Sequence, residues 1–260
     1  LRMTVHAAAS VLVPGGVLLV YGAKDEGIES VPGSLAPLFQ GVRRLGVGGH
    51  CRLLEARRCV EMPGLKATLG EWRETADLAC PHLPASWVSY PGVFSHGHLD
   101  PGTRLLLDAL PPLPVGARVL DYGCGSGVLG GAALARGGGI SLDLLDIDAV
   151  ALEAARENVP GARLLLRDGL PPADQGPWDV ILTNPPFHRG KAEDPGMVVE
   201  LVRGAPGLLR SGGSLVLVTQ RRLPLEDELR RAFHGVETLM ETGVFRVWRG
   251  MGPRKGSFAR

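Results

Sequence analysis

Ala117-Arg-Val-Leu-Asp-Tyr-Gly-Cys-Gly-Ser-Gly127 decides the fold. An apolar run that ends on an acidic residue and then breaks into alternating glycines reads as a buried strand turning sharply into a helix. Glycines at such a turn let the backbone approach a ligand without interference from a Cβ. From residue 117 onward, short apolar runs alternate with longer helical stretches, as a parallel α/β sheet requires. Strands are expected at 117–122, 140–145, 163–166, 178–183 and 214–219, and helices up to about 136 and at 149–158, 197–209 and 226–233. Two further strands at 236–241 and 244–248 flank Thr242-Gly243, a hairpin turn.

The first third is read from an internal echo. Val11-Leu-Val-Pro-Gly-Gly-Val-Leu-Leu-Val20 resembles Leu208-Leu-Arg-Ser-Gly-Gly-Ser-Leu-Val-Leu217, each a helix end, a Gly-Gly turn and an apolar strand. Residues 1–85 are therefore expected to form a partial, degenerate α/β unit. Residues 86–260 are expected to form the catalytic domain, with the Pro/Gly-rich stretch 81–92 as the link.

Composition bounds the class. With 260 residues, 45% hydrophobic and 21% charged, the chain can bury a sizeable core and reads as an ordinary soluble globular protein. Its longest apolar stretch is interrupted by Pro14-Gly15-Gly16, so no membrane span is expected, and without a leader pattern the cytoplasm is the expected compartment. Cys51, Cys59, Cys80 and Cys124 form no CxxC pair, so neither a disulfide framework nor a metal site is expected. The net charge of +1 argues neither for nor against nucleic acid, and most arginine doublets read as solvated surface. Arg189, Lys191, Arg221 and Arg222 differ, because they flank the candidate site and are expected to touch substrate phosphates.

A lone glycine loop is weak evidence, since dinucleotide sites share it. Asp121 discriminates: at the end of the first strand it would repel a pyrophosphate, but it suits the ammonium of an amino-acid ligand, directly or through water. Gly123 and Gly125 would let the backbone cradle that ligand. Asp146, closing the second strand, is placed to bind both ribose hydroxyls, and Ile147 to cover the adenine face. Asp148 is the neighbouring alternative to Asp146, though it fits a helix N-cap best. Asp168 follows the third strand, where it can accept a hydrogen bond from the adenine amino group. A nucleoside with an amino-acid tail and no phosphate is S-adenosylmethionine.

Thr183-Asn-Pro-Pro-Phe-His188 carries the sharpest chemistry. Two prolines stop the strand and hold the backbone extended. The Asn184 side-chain oxygen and the Pro185 carbonyl oxygen can then accept both protons of a planar amino group and aim its lone pair at the sulfonium methyl. Alkylation makes the amine more acidic, so positioning and preorganised dipoles suffice without a strong base. Phe187 offers a stacking face for the target base. His188 is expected to contact the base or a phosphate, or to fill the pocket wall. A loop contact is the expected role of His96 and His98.

At these residues the chain resembles the class I methyltransferases, and within them the bacterial small-subunit ribosomal RNA guanine-N2 methyltransferases of the two-domain C type. The resemblance rests on Tyr90-Pro-Gly-Val-Phe-Ser95 with Leu99-Asp100, the glycine loop, Asn184-Pro-Pro-Phe-His188 and Thr242-Gly-Val-Phe-Arg-Val-Trp248. It implies a doubly wound seven-stranded methyltransferase sheet, Rossmann-like, with a terminal antiparallel hairpin. It also implies methyl transfer from S-adenosylmethionine to guanine N2 in ribosomal RNA, on naked RNA or the small subunit, with 90–95 lying over the cofactor and substrate cleft. For residues 1–85 it implies an RNA-binding or structural role without a cofactor site. Gln220, Arg221 and Arg222 stand where the family often carries Asn and aromatic residues. The rival readings are methylation of adenine N6 or of a protein glutamine in the same cleft, and a non-catalytic RNA-binding or ribosome-assembly protein.

Overall fold

The computed structural model describes residues 1–185, 188, 189, 192, 193 and 195–254, with the backbone alone for 188, 189, 192, 193 and 195. The chain divides into two compact units, Leu1–Arg73 and Glu74–Arg260.

In the first unit, helix α1 (Arg2–Val11) leads through the Gly15-Gly16 turn into β1 (Val17–Ala23). Helix α2 (Val31–Leu35), β2 (Phe39–Gly48) and β3 (Cys51–Arg58) follow. The strands form an antiparallel sheet in the order β1-β3-β2. Val5, Ala9, Ile28, Leu35, Phe39 and Leu54 make its core.

The second unit opens with β4 (Glu74–Ala76), paired antiparallel to β5 (Trp87–Ser89). This ladder brings the stretch expected as a link into the second unit, so the division falls at 73/74 rather than 85/86. Helix α3 (Pro101–Ala109) comes next, capped by Asp100, whose side chain accepts from the Thr103 amide. Then follow β6 (Arg118–Tyr122), α4 (Val128–Ala135), β7 (Ser141–Asp146), α5 (Ala149–Asn158), β8 (Arg163–Leu166) and β9 (Trp178–Thr183). A short bridge joins β10 (His188–Arg189) to β11 (Ala192–Glu193). Helix α6 (Pro195–Leu208), β12 (Leu209–Gln220), α7 (Glu226–Ala232), β13 (Phe233–Glu241) and β14 (Phe245–Pro253) complete the unit.

The sheet has seven strands in the order β13-β14-β12-β9-β6-β7-β8. The five from β12 to β8 run parallel, and β14 and β13 are antiparallel, the hairpin expected from Thr242-Gly243. Alternate side chains feed two cores, as the period of two along a strand demands. Val119, Leu144, Leu182 and Val218 pack with α3, α4 and α5 residues such as Leu106, Leu129 and Leu152. Leu120, Leu145, Ile181 and Leu217 pack with Leu201 of α6 and Leu229 of α7. Helices on both faces make the sheet doubly wound. Buried Asp143 ties its lower end, accepting from Arg118, Arg163 and the Trp178 indole.

The echo read in the sequence has a topological counterpart. Helix, strand, helix, strand, strand occurs as α1, β1, α2, β2, β3 and again as α6, β12, α7, β13, β14, with the Gly-Gly pair just before β1 in the first and inside β12 in the second. In both, the last strand lies between the other two.

Candidate active site

The carboxyl ends of the parallel strands carry the site, where ligands bind in open α/β sheets. After β6 the chain turns through Gly123 and Gly125, at φ of +68° and +54°. These left-handed conformations favour glycine. A Cβ built at either would meet nothing within 4 Å, so the missing side chains leave open space along the loop. The Gly123 and Cys124 amides both donate to the Leu145 carbonyl, at 2.8 and 2.9 Å, fastening the loop to β7. A Cβ on Gly130 would lie 2.6 Å from Leu144, so α4 presses closely on the sheet.

Asp121 is fully buried, and its Oδ2 accepts from the Gly130 amide at 2.8 Å. Oδ1 has no hydrogen-bond partner among the described residues. Burial raises its pKa from 3.8 to about 7; the Gly130 amide opposes that rise and the charge of Asp146 adds to it. An orphaned oxygen on a carboxyl that resists ionisation marks a place for a cationic group. Burial likewise pushes the neighbouring Cys124 thiol well up, leaving it unreactive.

Asp146 closes β7 with both oxygens engaged: Oδ2 accepts from the Gly125 amide at 2.8 Å and Oδ1 from the Asp148 amide at 2.9 Å. A carboxylate has about four acceptor positions, so capacity remains for hydroxyl donors. Ile147 beside it is 64% exposed, an apolar side chain left uncovered next to the loop. Asp148 is the N-cap of α5, accepting from the Val150 amide, so the cap reading holds for it. Asp168 is exposed after β8, close enough to Tyr122 for its charge to help raise the phenol's pKa, behind burial and Glu200.

Asn184 leaves β9 with its amide nitrogen held twice, donating to Asp100 Oδ2 at 2.9 Å and to Thr103 Oγ1 at 2.8 Å. The Asp100 carboxylate has no hydrogen to give, so nitrogen faces it and Oδ1 is left as the acceptor. Pro185 is buried, and no backbone amide among the described residues donates to its carbonyl. Phe187 and Lys191 lie outside the described residues, as do the side chains of His188 and Arg189. Arg221 pairs with Glu241 at 2.8 Å, and Arg222 donates to Gln220 at 2.9 Å. Both are exposed.

One cleft is lined jointly by Gly123, Gly125 and Asn184. One wall is β5, clamped over the loop by Asn158. Its side chain accepts from the Val88 amide and donates to the carbonyls of Val88 and Ser126, at 2.7, 2.8 and 3.0 Å. The Trp87 indole donates to Ser126 Oγ at 3.0 Å. Phe94, 62% exposed, stands at the same cleft. Asp100 is the one carboxylate lining it, and no Lys or Arg does so among the described residues. Those walls, which carry a carboxylate and none of the cations a phosphate would need among the described residues, fit a cationic nucleoside bearing an amino-acid tail and no phosphate.

Asp100 and Thr103 hold Asn184, and Asn158 holds β5 to the loop, contacts that the sequence motifs did not assign. Asp100-Pro101 before an apolar run is an N-cap signal, and it locates α3. Nothing in the sequence tells that the cap also holds Asn184, 84 residues on. Among the described residues no group of three His, Cys, Asp or Glu is placed to hold a metal, and no helix is long and apolar enough to cross a membrane.

Comparison with known proteins supports the same reading. The family described as the methyltransferase small domain matches residues 85–249. Ribosomal RNA small subunit methyltransferase C of Shewanella loihica is 34% identical over 241 residues, covering 91% of this chain and 69% of the relative. The protein of that description from Chromohalobacter salexigens is 36% identical over 255 residues, covering 96% and 74%. Among solved structures, a 16S ribosomal RNA guanine-N2 methyltransferase of T. thermophilus, acting at nucleotide 1207 and bound to AdoMet and guanosine, aligns with a TM-score of 0.80. It shares 28% identity over 96% of this chain and 68% of its own.

Proposed function

This chain belongs to the methyltransferase small domain family, and on that premise we propose that it methylates the exocyclic N2 amine of a guanine in small-subunit ribosomal RNA, with S-adenosylmethionine as donor. The cofactor supplies an electrophilic methyl group on a sulfonium sulfur. Asp121, Gly123, Gly125, Asp146, Ile147 and Asp168 would hold it: the glycine loop would pass its tail, Asp146 would take the ribose hydroxyls, Ile147 would cover the adenine and Asp168 would accept from its amino group.

The observation that carries the reading is the twice-held amide of Asn184. With its nitrogen committed to Asp100 and Thr103, its oxygen can only accept. Together with the Pro185 carbonyl it takes both hydrogens of a planar amine and turns the nitrogen lone pair toward the methyl group. Methylation would acidify the amine held by these two acceptors, and its surplus proton would pass to solvent. Such a site works by preorganised acceptors, with no general base. Phe187 stacks the extruded base, and Phe94 gives the cleft a second aromatic face.

Arg189, Lys191, Arg221, Arg222 and His188 are assigned to the RNA. The first unit, as the topological counterpart of the second unit's last strands, is assigned to holding RNA rather than cofactor. The substrate places the protein in the cytoplasm, with the ribosome. The test is mass analysis of nucleosides after incubating the protein and labelled cofactor with unmethylated 16S RNA and with small subunits. N2-methylguanosine, looked for first at the nucleotide equivalent to 1207, is the expected product. N6-methyladenosine, methylated protein glutamine or no transfer would refute the proposal.

A further inference from the structure

Beside the glycine loop, the second unit holds a chain of three polar side chains that the methyl-transfer reading does not use. His96 Nδ1 lies 2.9 Å from Ser89 Oγ, and Nε2 lies 3.0 Å from Glu74 Oε2. Ser89 is buried at 5% exposure and lines the cleft with Gly123, Gly125 and Asn184. It sits on β5, the strand that Asn158 clamps to the loop, so its position relative to the loop is fixed.

With the His96 ring neutral, the hydrogens of this chain follow from its partners. A carboxylate only accepts, so Nε2 of His96 carries the hydrogen directed at Glu74. In the neutral ring Nδ1 is then a bare lone pair, and it takes the hydroxyl hydrogen of Ser89. Ser89 Oγ is left with lone pairs and no hydrogen to offer to the cleft. A buried hydroxyl in that state receives a donor and repels an acceptor. Asp121, just before the same loop, likewise keeps an oxygen with no partner among the described residues.

We propose that Ser89 binds the ammonium of the cofactor's amino-acid tail, with His96 and Glu74 as positioning residues that hold its hydroxyl in the accepting orientation. The inference rests on S-adenosylmethionine being the cofactor and adds a ligand for one of its groups. Its carboxylate is excluded from this position, because it needs a donor where Ser89 presents an acceptor.

Calorimetry of the whole chain with two neutral thioethers tests it. S-adenosylhomocysteine carries the amino-acid tail, and 5′-methylthioadenosine lacks it. A hydrogen bond to a charged group leads to an expected loss of roughly ten-fold in S-adenosylhomocysteine affinity for Ser89→Ala. Methylthioadenosine affinity should stay within about two-fold, which also shows that the variant is folded. His96→Ala, which releases the Ser89 hydrogen, should lose part of the same affinity and none for the tail-less ligand; it carries the comparison if Ser89→Ala does not fold. Equal losses on both ligands, or no loss on either, would overturn the role of Ser89 while leaving the cofactor in place. A wild-type chain that binds neither thioether would overturn the cofactor assignment itself.

Discussion

Asp100 Oδ2 lies 2.8 Å from the Thr103 amide nitrogen and 2.9 Å from Asn184 Nδ2, so one oxygen caps helix α3 and orients the side chain that closes β9. The cap makes the orientation rigid, because Asp100 cannot rotate away without exposing the first turn of the helix. Thr103, 6% exposed, supplies the second acceptor from inside that turn.

Two separable losses should follow from Asp100→Ala. Removing the cap should cost about 1 kcal/mol of stability, read from thermal or urea unfolding. Releasing the Asn184 amide should lower turnover by roughly ten-fold at saturating cofactor, because one hydrogen bond no longer fixes the acceptor. Asp100→Asn should keep much of the cap yet let the Asn184 amide rotate, so it should fold well and still react slowly. Wild-type turnover in both variants would remove Asp100 from the site.

Asp121 should give the ligand-free protein a distinctive pH dependence. Its folded-state pKa of about 7 lies above the ordinary 3.8, so the folded form holds the proton more tightly than the unfolded form. The stability it contributes is therefore complete below about pH 4 and lost as pH rises through about 7. Asp121→Asn cannot titrate, so the difference in unfolding free energy between wild type and variant should drift across that window and level off above it. Cofactor affinity of the wild type should rise over the same interval, because the ammonium favours the ionised carboxyl, and the variant's should not. Parallel stability curves for the two proteins would show that Asp121 does not titrate there.

Binding to RNA through these cations predicts a salt effect. Replacing Arg189, Lys191, Arg221 and Arg222 by alanine should weaken RNA binding and reduce the slope of log affinity against log salt by about 0.7 for each phosphate no longer neutralised. Arg221 gives up its exposed pair with Glu241 to reach a phosphate, and such pairs are worth only about 0–1 kcal/mol. Cofactor affinity should not change. A slope equal to the wild type's would return all four to the solvated surface.

The strand-and-helix sequence after residue 117 was legible because each strand is a short apolar run and each helix has a clear end. The expected helix at 149–158 is the observed α5, and the strand at 178–183 is β9. Expected and observed limits differ most at 214–219 and 244–248, since β12 begins at Leu209 and passes through an irregularity before Ser214, and β14 runs on to Pro253. The three-residue strands β4 and β5 left no periodic signal, and they turned an expected link into a wall of the cleft. Gly123, Gly125, Asp121 and Asn184 were legible because each sits where a strand ends, and only the backbone need be known to place it. Asp100, Asn158 and Ser89 were not, because their roles depend on side chains and backbone groups distant in the chain, as Asn184 is from Asp100 and Ser126 from Asn158. Spacing in one sequence does not reveal such partners.

Asn184 is assigned as the acceptor of the amine to be methylated, and single-turnover transfer by Asn184→Ala at saturating cofactor tests that role most directly. The substrate is unmethylated small subunits, or 16S RNA if that is what the wild type accepts. RNA and cofactor binding should persist, since Phe187 still stacks the base and the glycine loop is untouched. The rate should fall roughly 10²–10³-fold, as when one preorganised polar group is removed from a reacting centre. Methyl transfer at the wild-type rate would contradict the assignment.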